Sequence, residues 1–391
     1  MRIAFYAPLK APTHAVPSGD RRVGRLFIAA LEAAGHEVNI VSTLRAYEPD
    51  GDQERQTRIR SKGIAAASAL VDQWRRGSGA QVPDLWFTYH VYYKAPDWIG
   101  PTVCEALGIP YVIAEASYAP KRASGPWAIG HAAAGKAIRA ASLVLCATRS
   151  DMGCVKPVAT SEANVVWLPP FLDASPYQAA ARDRNTHRAR LAAQHGLDPS
   201  IPWLAVVAMM RPGDKAASYR MLARALGTMT DLRWQAIVAG DGVERASIEQ
   251  AFESGARGRT RFLGERGPEE IAAIYAACDL CLWPAVNEAY GMAMLEAQAA
   301  GIPVVSRNVR GVPDVVCDGM TGSLAPPEDE RAFASMAREL ITDSARRSSM
   351  GSEAARFAGI ERNLEATAAR LKALLAPFSR SGQRPPAALR Q

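Results

Sequence analysis

The feature that most limits the fold of this chain is a regular alternation of short apolar segments with amphipathic segments in both halves. In the first half, strand-like runs such as Arg2–Tyr6 and Leu85–His90 are separated by helical patterns such as Val23–Ala34. The second half begins with Trp203–Met209 and repeats the same order. Such alternation predicts parallel sheets with helices on both faces, because parallel strands need a crossover between them. The sequence therefore predicts an α/β protein with two doubly wound domains.

The length of 391 residues exceeds one ordinary core and fits two domains of about 150 to 200 residues each. We predict an N-terminal domain over 1–175, an interdomain linker over 176–202 and a C-terminal domain over 203–361. A further helix is predicted over 362–378. Because residues 379–391 are rich in Ser, Gln and Pro, we predict a disordered tail there.

Two absences in the sequence bear on the location of the protein. No run of about 18 or more apolar residues is present, so no helix is expected to span a membrane. The segment Arg2–Pro8 is a strand pattern ending in a turn, without the longer apolar core of a signal peptide. We therefore expect a cytoplasmic protein.

The net charge of +7 arises entirely in the N-terminal half. Residues 1–190 contain 23 Lys and Arg against 16 Asp and Glu, whereas 191–391 contain 23 of each. The basic segment Arg55–Lys62, followed by apolar Ile64–Val71 and by Trp74, fits a helix in peripheral contact with an anionic membrane, on the inner face of the cell membrane. It fits a solvated helix flank equally well. No nucleic-acid partner is expected, because zinc-ligand spacing and aromatic-rich single-strand motifs are lacking.

Two short motifs have the form of metal sites, and we predict a structural role for both. Cys278 and Cys281 form the only close pair among six cysteines, at the start of a predicted buried strand, where Cys commonly acts as a small apolar residue. Asp50-Gly51-Asp52 has an Asp-x-Asp form, but it lies in a polar segment after Pro49, and Asp and Gly favour turns for local reasons. No bound metal is expected.

The segment Asn287–Glu296 places two carboxylates eight residues apart around a predicted strand-to-helix turn. Leu280–Trp283 is predicted as a buried strand, and a helix is predicted from Gly291 onward. The first backbone N–H groups of such a helix attract anions such as phosphate. Glu288 on the loop and Glu296 within the helix would then meet different parts of one ligand, because carboxylates accept strong hydrogen bonds from sugar and ribose hydroxyls.

This segment resembles the Glu-x7-Glu signature of the retaining glycosyltransferases of family 4. The resemblance continues through 297–305 and through 311–322, and it covers nearly the whole chain. Tyr290 stands where the family usually has Phe, a change that keeps the ring. The resemblance implies a GT-B fold, in which two Rossmann-like domains face an interdomain cleft and the last helix packs back on the N-terminal domain.

The resemblance also implies donor-binding residues. Arg211 and Lys215 occupy the place of the family's Arg and Lys, which neutralise the donor diphosphate, and Gly19 remains from the family's Gly-rich loop. Asp20, which follows Gly19, is expected to cap a helix or to pair with an arginine. The other expected donor contacts are Leu263 and Glu265 with the base, the backbone of Gly291, Met292 and Ala293, and Glu296 with the ribose.

Glu288 and His90 are the expected catalytic residues. Glu288 would orient the sugar and support positive charge on it, and His90, at a strand end, would bind a sugar hydroxyl. Acceptor contacts are expected after the next strand. They are Glu115, Tyr118, Lys121 and Arg122.

The predicted activity is retaining transfer of a hexose-like sugar from a UDP-, GDP- or ADP-linked donor to a hydroxyl acceptor, without a cofactor or a metal. The acceptor class stays open and includes lipid-linked saccharides, and cell-surface glycan or glycolipid synthesis is one setting for such a reaction. Two alternatives also stay open. One is a GT-B phosphorylase or epimerase, and the other is a nucleotide-sugar-binding protein without turnover.

Overall fold

The computed structural model describes residues 1–16, 18–77 and 82–379. The chain forms two compact units. The N-terminal unit comprises Met1–Pro169 together with the chain from Leu364 onward, and the C-terminal unit comprises Pro170–Asn363. Each unit is built on its own six-stranded parallel sheet, as the alternating sequence pattern predicts.

The sheet of the N-terminal unit has the strand order β2-β1-β3-β4-β5-β6. Its central strand β3 is buried along nearly its whole length, which explains the continuous apolar run in the sequence. Its strands are β1 (Arg2–Tyr6), β2 (Glu37–Ser42), β3 (Leu85–Val91), β4 (Tyr111–Ala116), β5 (Leu143–Cys146) and β6 (Val165–Trp167). The helices between them are α1 (Gly19–Ala33), α2 (Gln53–Arg76), α3 (Gly100–Leu107), α4 (Ala128–Ala140) and α5 (Arg149–Val155).

The Asp-x-Asp motif forms the turn that starts α2. The buried carboxylate of Glu48 accepts backbone N–H groups of Asp50 and Asp52, both at 3.1 Å. Asp52 caps α2 by accepting the N–H of Arg55 at 2.9 Å, and the Arg55 side chain pairs with both aspartates. Both carboxylates of the motif therefore have partners within the turn and the first turn of α2.

The apolar stripe of α2 packs into the N-terminal unit. Gly63, Ala67, Val71 and Trp74 are buried, and the exposed large apolar residue of the helix is Ile64. The apolar side chains that a membrane-bound helix would insert into the lipid are therefore packed in the protein core. The structure thus favours the interpretation of the basic segment of α2 as a solvated helix flank.

The sheet of the C-terminal unit has the order β12-β11-β10-β7-β8-β9. Its strands are β7 (Trp203–Val207), β8 (Gln235–Ala239), β9 (Thr260–Gly264), β10 (Leu280–Leu282), β11 (Val304–Arg307) and β12 (Gly322–Ala325). Its helices are α6 (Ser175–Arg182), α7 (Arg184–His195), α8 (Asp214–Gly227), α9 (Arg245–Glu253), α10 (Pro268–Ala277), α11 (Met292–Ala299), α12 (Glu330–Thr342) and α13 (Ser344–Arg356). Cys278, just before β10, and Cys281, within it, are buried free thiols, and burial raises the pKa of Cys281 to about 12.

The stretch 176–202, predicted as a linker, folds as α6 and α7 of the C-terminal unit, and both helices contact α10. Arg184 and Arg188 bind the two carboxylate oxygens of Asp279 at 2.6 and 3.0 Å. The same carboxylate accepts the backbone N–H of Trp203 at 2.7 Å. The arginines that gave the stretch its linker-like composition are therefore its anchors to the unit.

The last helix, α14 (Leu364–Leu375), belongs to the N-terminal unit and contacts α1. A 3-10 turn at Ala376–Phe378 follows it and ends at Ser379. The remainder of the predicted tail, 380–391, lies outside the described residues. None of the described helices is long and apolar enough to cross a membrane.

Candidate functional site

In the C-terminal unit, side chains from two loops converge at the carboxyl ends of β7 and β10. Lys215, in the first turn of α8, forms an ion pair with the Oε2 atom of Glu288. The indole Nε1 of Trp283 donates a hydrogen bond to the same oxygen at 3.1 Å, and Lys215 Nζ lies 5.1 Å from the centroid of the Trp283 ring. One carboxylate oxygen thus receives both a cation and a neutral donor.

Glu288 and Lys215 are partly shielded from solvent, with 15% and 35% of their side-chain surfaces exposed. Charges in such a setting interact more strongly than they would in bulk water. Both side chains remain within reach of a solute, so an incoming anion can compete with Glu288 for Lys215.

The loop that carries Glu288 is held in a specific conformation. Ala285 and Asn287 have φ values of +57° and +51°, a left-handed conformation that costs non-glycine residues free energy. Asn287 donates to Asp214 at 2.8 Å and accepts from Arg310 at 3.0 Å. Fixed, unusual backbone at a strand end is typical of binding and catalytic loops.

Helix α11 begins one residue later than predicted, because Gly291 is its N-cap with φ of +77°. A Cβ atom on Gly291 would collide with the methyl group of Met294. Met292 and Ala293 therefore stand at the first positions of the helix, where backbone N–H groups have no intrahelical acceptor. Glu296 lies further along α11 and is 5% exposed, so it is more enclosed than Glu288.

Arg211 and Lys215 occupy one connection between β7 and α8. The carbonyl of Arg211 accepts the N–H of Ala216 at 3.1 Å, and Gly213 between them has φ of +79°. The Arg211 side chain is exposed, and no carboxylate in the described parts of the chain forms an ion pair with it. The connection thus presents one unpaired cation and one that is paired with Glu288.

The predicted base-contacting residues lie at the end of β9. The Leu263 carbonyl accepts a hydrogen bond from Arg266 at 2.7 Å, and Glu265 is exposed. The neighbouring Gly240 packs so closely on the carbonyl of Ala208 that a Cβ atom would collide with it. The end of β9 is therefore next to a tight backbone contact between the loops after β7 and β8.

A second cluster lies in the N-terminal unit, where His90 is placed among carboxylates. His90 Nδ1 is 3.0 Å from Asp20 Oδ1 and 3.8 Å from Glu115 Oε1. Burial favours the neutral imidazole, but Glu115 and Asp20 outweigh it and raise the pKa of His90. Asp151 contributes to the same rise, and it accepts hydrogen bonds from Ser117 at 2.8 Å and Thr148 at 2.7 Å.

His90 and Glu115 share an unusual backbone conformation. Their φ values are +66° and +62°, and they lie near the carboxyl ends of the adjacent strands β3 and β4. Left-handed backbone at two neighbouring strand ends turns both side chains away from ordinary strand geometry, and such strain is concentrated at functional sites.

Asp20 differs from expectation. Ser18, not Asp20, caps α1 by accepting the N–H of Arg21 at 3.2 Å, and the Asp20 carboxylate lies 3.0 Å from His90 Nδ1. A Cβ atom on Gly19 would meet nothing within 4 Å, so the helix start beside this pair is open.

The predicted acceptor contacts Tyr118, Lys121 and Arg122 lie in two different environments. Tyr118 packs against His131, with ring centroids 4.5 Å apart. Lys121 and Arg122 lie in a 3-10 turn at Pro120–Arg122, and the Arg122 guanidinium lies 4.7 Å from the centroid of Trp127. The structure places these residues after β4, as the sequence predicts.

Sequence reasoning missed Trp283 and Asp151. Trp283 belongs to an apolar run that predicts only a buried strand, and the sequence carries no sign of where its N–H points. Asp151 follows β5 by a few residues, so the rule that ligands bind at the carboxyl ends of parallel strands would have found it.

Comparisons with known proteins identify the family and the fold that this chain resembles. Residues 202–343 match the family described as glycosyl transferases group 1, which confirms the predicted family for the C-terminal unit. The chain is 31% identical to D-inositol 3-phosphate glycosyltransferase from Corynebacterium aurimucosum over 221 residues, 54% of this chain and 51% of that protein. It is 40% identical to the Corynebacterium efficiens protein of the same name over 126 residues, 32% of this chain and 29% of that protein. The chain thus covers about half or less of the length of these relatives.

Two solved structures share the fold over almost the whole chain. Sucrose-phosphate synthase from Thermosynechococcus elongatus has a TM-score of 0.72 at 19% identity, covering 96% of this chain and 98% of that one. Anabaena HepE in complex with UDP and glucose has a TM-score of 0.70 at 18% identity, covering 96% and 99%. These likenesses confirm the predicted α/β fold class with two Rossmann-like sheets.

Proposed function

We propose that the protein transfers a sugar from a nucleoside diphosphate donor to a hydroxyl group, because residues 202–343 match the family described as glycosyl transferases group 1. The observation that carries the proposal is the arrangement of Lys215, Trp283 and Glu288 at one sheet edge, near the start of α11. This arrangement combines an anion-binding cation with a carboxylate suited to sugar hydroxyls.

The cations and α11 take the donor diphosphate in this proposal. Lys215 exchanges its contact with Glu288 for a phosphate oxygen, and the exposed Arg211 binds the same group. The N–H groups of Met292 and Ala293 add dipoles of the right sign. Negative charge that develops on the departing diphosphate is thereby stabilised without a metal.

Glu288, freed from Lys215, orients the sugar and supports the positive charge that develops on it. Glu296 accepts the ribose hydroxyls, and backbone groups at Leu263 and Glu265 meet the base. We further propose retention of the anomeric configuration, with attack on the face that the diphosphate leaves and with a phosphate oxygen taking the acceptor proton. The bond to the diphosphate breaks as the bond to the acceptor oxygen forms.

The N-terminal unit binds the acceptor. His90 donates a hydrogen bond to a sugar hydroxyl, and Glu115, Tyr118, Lys121 and Arg122 are its candidate acceptor contacts. The relatives are named for a phosphorylated inositol, and HepE was solved with UDP, so UDP-sugars are the first donors to test, followed by GDP- and ADP-sugars. Peripheral contact with an anionic membrane is part of the same proposal and would be electrostatic, because the apolar stripe of α2 is buried.

A thermal-shift screen with UDP, GDP and ADP tests the donor site directly, because a ligand that binds the folded state raises the melting temperature. We expect one nucleotide to stabilise the protein and Lys215→Ala to remove most of that shift. Arg257→Ala is the matched control, since Arg257 lies in the same unit with an 85% exposed side chain. Equal shifts in wild type and Lys215→Ala would contradict the donor site.

Transfer itself is measured with the matching nucleotide-sugar and a panel of hydroxyl acceptors, in the presence and absence of EDTA. The anomeric configuration of the product, read by NMR, tests retention. Sugar release that depends on inorganic phosphate would favour a phosphorylase, and interconversion of the donor sugar would favour an epimerase. Tight donor binding with no turnover on any acceptor would favour a binding protein.

A further inference from the structure

An aromatic surface leads away from His90 in the N-terminal unit. The Tyr92 ring stacks on His90 with centroids 5.0 Å apart, Tyr93 lies 5.5 Å from Tyr92, and Trp127 lies 5.6 Å from Tyr93. All three aromatic side chains are half-buried. We call these three rings, together with Lys94 and Arg122, the Trp127 platform.

The two cations of the Trp127 platform are held by its rings. The Arg122 guanidinium carbon is 4.7 Å from the Trp127 centroid and 5.3 Å from that of Tyr93. Lys94 Nζ is 4.9 Å from the Trp127 centroid and donates one hydrogen bond to the Pro49 carbonyl at 2.9 Å. The rings fix both charges in place and leave most of their N–H groups for another acceptor.

Apart from the hydrogen bond from Lys94 to Pro49, most of the hydrogen-bonding capacity of the two cations is unused among the described residues. Over residues 1–16, 18–77 and 82–379, no carboxylate forms an ion pair with Lys94 or Arg122. Arg122 Nε and Trp127 Nε1 are buried without a hydrogen-bond partner among the described residues. A buried donor without an acceptor costs free energy, so this group of donors is suited to an acceptor brought by a ligand.

The charged groups near the Trp127 platform differ from those elsewhere in the N-terminal unit. Arg55, in the same unit, is neutralised by Asp50 and Asp52. Around His90, in contrast, the charges are the carboxylates Asp20 and Glu115. A ligand spanning the two regions meets acceptors for its hydroxyl groups at His90 and unpaired cations at the Trp127 platform.

We propose that the Trp127 platform binds the phosphate group of a phosphorylated sugar or polyol, which is the acceptor. The guanidinium N–H groups of Arg122 and the ammonium of Lys94 bind phosphate oxygens, and the indole ring lies against the apolar face of the carbohydrate. A phosphate fits better than a carboxylate because its higher charge, about −1.5 to −2, matches two cations. The proposal rests on the proposed function only in calling this ligand the acceptor, because phosphate binding at the Trp127 platform does not depend on turnover.

The phosphate could be carried by a soluble sugar phosphate or by a lipid, and two arms of one experiment separate these sources. The first arm titrates the full-length protein with glucose 6-phosphate and with glucose, followed by tryptophan fluorescence and calorimetry. The second measures sedimentation with phosphatidylcholine vesicles, with and without phosphatidylinositol 4-phosphate, whose headgroup carries a phosphate monoester. We expect at least about tenfold tighter binding of the phosphorylated probe in one arm, a difference of about 1.4 kcal/mol.

Arg122→Met and Lys94→Met remove the charges while keeping similar length. Each should weaken binding of the phosphorylated probe about tenfold and leave the UDP thermal shift unchanged. Arg58→Met, on the exposed side of α2, is the surface control. Lys215→Met controls for binding at the donor site, and it should weaken UDP binding but leave the phosphorylated probe bound.

Two outcomes would overturn the proposal. One is equal affinity for glucose and glucose 6-phosphate together with no preference for vesicles that contain phosphatidylinositol 4-phosphate. The other is phosphate binding that Lys215→Met removes and Arg122→Met leaves intact. If Arg122→Met merely unfolds the 3-10 turn, circular dichroism and a lower melting temperature will show it. Arg122→Lys, which keeps the charge, must then restore binding at least in part. A protein that binds the phosphorylated probe but none of UDP, GDP and ADP would refute the proposed function, while phosphate binding at the Trp127 platform would still stand.

Discussion

At the residue scale, the role of Glu288 depends on a tryptophan that no motif would single out. Trp283 Nε1 donates to Glu288 at 3.1 Å, and its ring lies beside Lys215. In the proposed mechanism a diphosphate draws Lys215 away, and the indole N–H remains to hold the carboxylate. Trp283 would then be a positioning residue, which acts on the sugar through Glu288.

We expect Trp283→Phe to lower kcat about tenfold and to change the donor KM little, because the ring beside Lys215 is kept and the charge-assisted hydrogen bond is lost. Steady-state kinetics with saturating acceptor measures both constants. Trp234→Phe is the matched control, since its Nε1 donates to Met229 at 2.8 Å in the core. It should reduce stability without reducing kcat, and a fall in donor affinity alone for Trp283→Phe would exclude the positioning role.

The His90 and Asp20 pair predicts a pH dependence. The pKa of His90 is raised above its usual value near 6.5, and the pKa of Asp20 is lowered from near 3.8, although its burial opposes the fall. The His90 contribution to stability is therefore full below about pH 6.5 and is lost as pH rises through the raised pKa. The Asp20 contribution is present above about pH 3.8 and is lost as pH falls through the lowered pKa.

Asp20→Asn should accordingly lower the pKa of His90, which NMR titration of the imidazole protons measures. Its destabilising effect should be largest around pH 5 to 6 and should shrink in alkaline solution, because the wild-type imidazolium then loses its proton. Glu115 and Asp151 still act on His90, so its pKa should fall only in part. Asp72→Asn, on exposed α2, is the control. An unchanged His90 titration in Asp20→Asn would show that the pair is not coupled.

These examples show which site residues the sequence can predict. Glu288, Lys215 and His90 were predicted chiefly through the family resemblance, and each also follows a strand of its own unit, where ligands of parallel sheets bind. The Asp20 contact was missed because it joins residues 70 positions apart, and the direction of a short side chain at a helix start is set by its tertiary neighbours. The Trp283 N–H was missed for the same reason.

At the scale of elements, the strands were predicted well, whereas the stretch 176–202, predicted as a linker between the domains, belongs to the C-terminal unit. Continuous apolar runs identify buried strands, because both faces of a parallel sheet are covered. Helices α6 and α7 have a polar, Arg-rich sequence, and their place depends on Asp279, which lies 95 residues after Arg184. Amino-acid composition alone does not reveal that Asp279 binds these two helices.

We expect Asp279→Ala to lower the free energy of unfolding of the C-terminal unit by about 3 kcal/mol. The substitution leaves the partly buried Arg184 and Arg188 without their partner and removes the acceptor of the Trp203 N–H. Urea denaturation followed by circular dichroism measures the change. Asp231→Ala, which breaks the exposed pair with Arg338, should cost less than about 1 kcal/mol. Similar costs for both variants would show that Asp279 is not an anchor.

At the scale of the whole molecule, the order of the helices along the chain does not decide the unit to which each helix belongs. Helix α14 follows the C-terminal unit in sequence but belongs to the N-terminal unit, where it contacts α1. The sequence predicted the existence of this helix from its apolar spacing. Only the family resemblance predicted that the helix packs on the N-terminal domain, because an amphipathic helix does not specify which apolar surface covers it.

Leu371→Ala tests this membership. Leu371 is fully buried on α14, so its truncation should lower the free energy of unfolding of the N-terminal unit by about 2 to 4 kcal/mol. The proposed donor site lies in the other unit, so the thermal shift that UDP is expected to cause should persist. Lys372→Ala, at the adjacent exposed position, is the control. Hydrogen exchange resolves the two units, and faster exchange in α1 and β1, with β7 and β8 unchanged, is the expected pattern. Faster exchange confined to β7 and β8 would instead assign the last helix to the unit that precedes it in the chain.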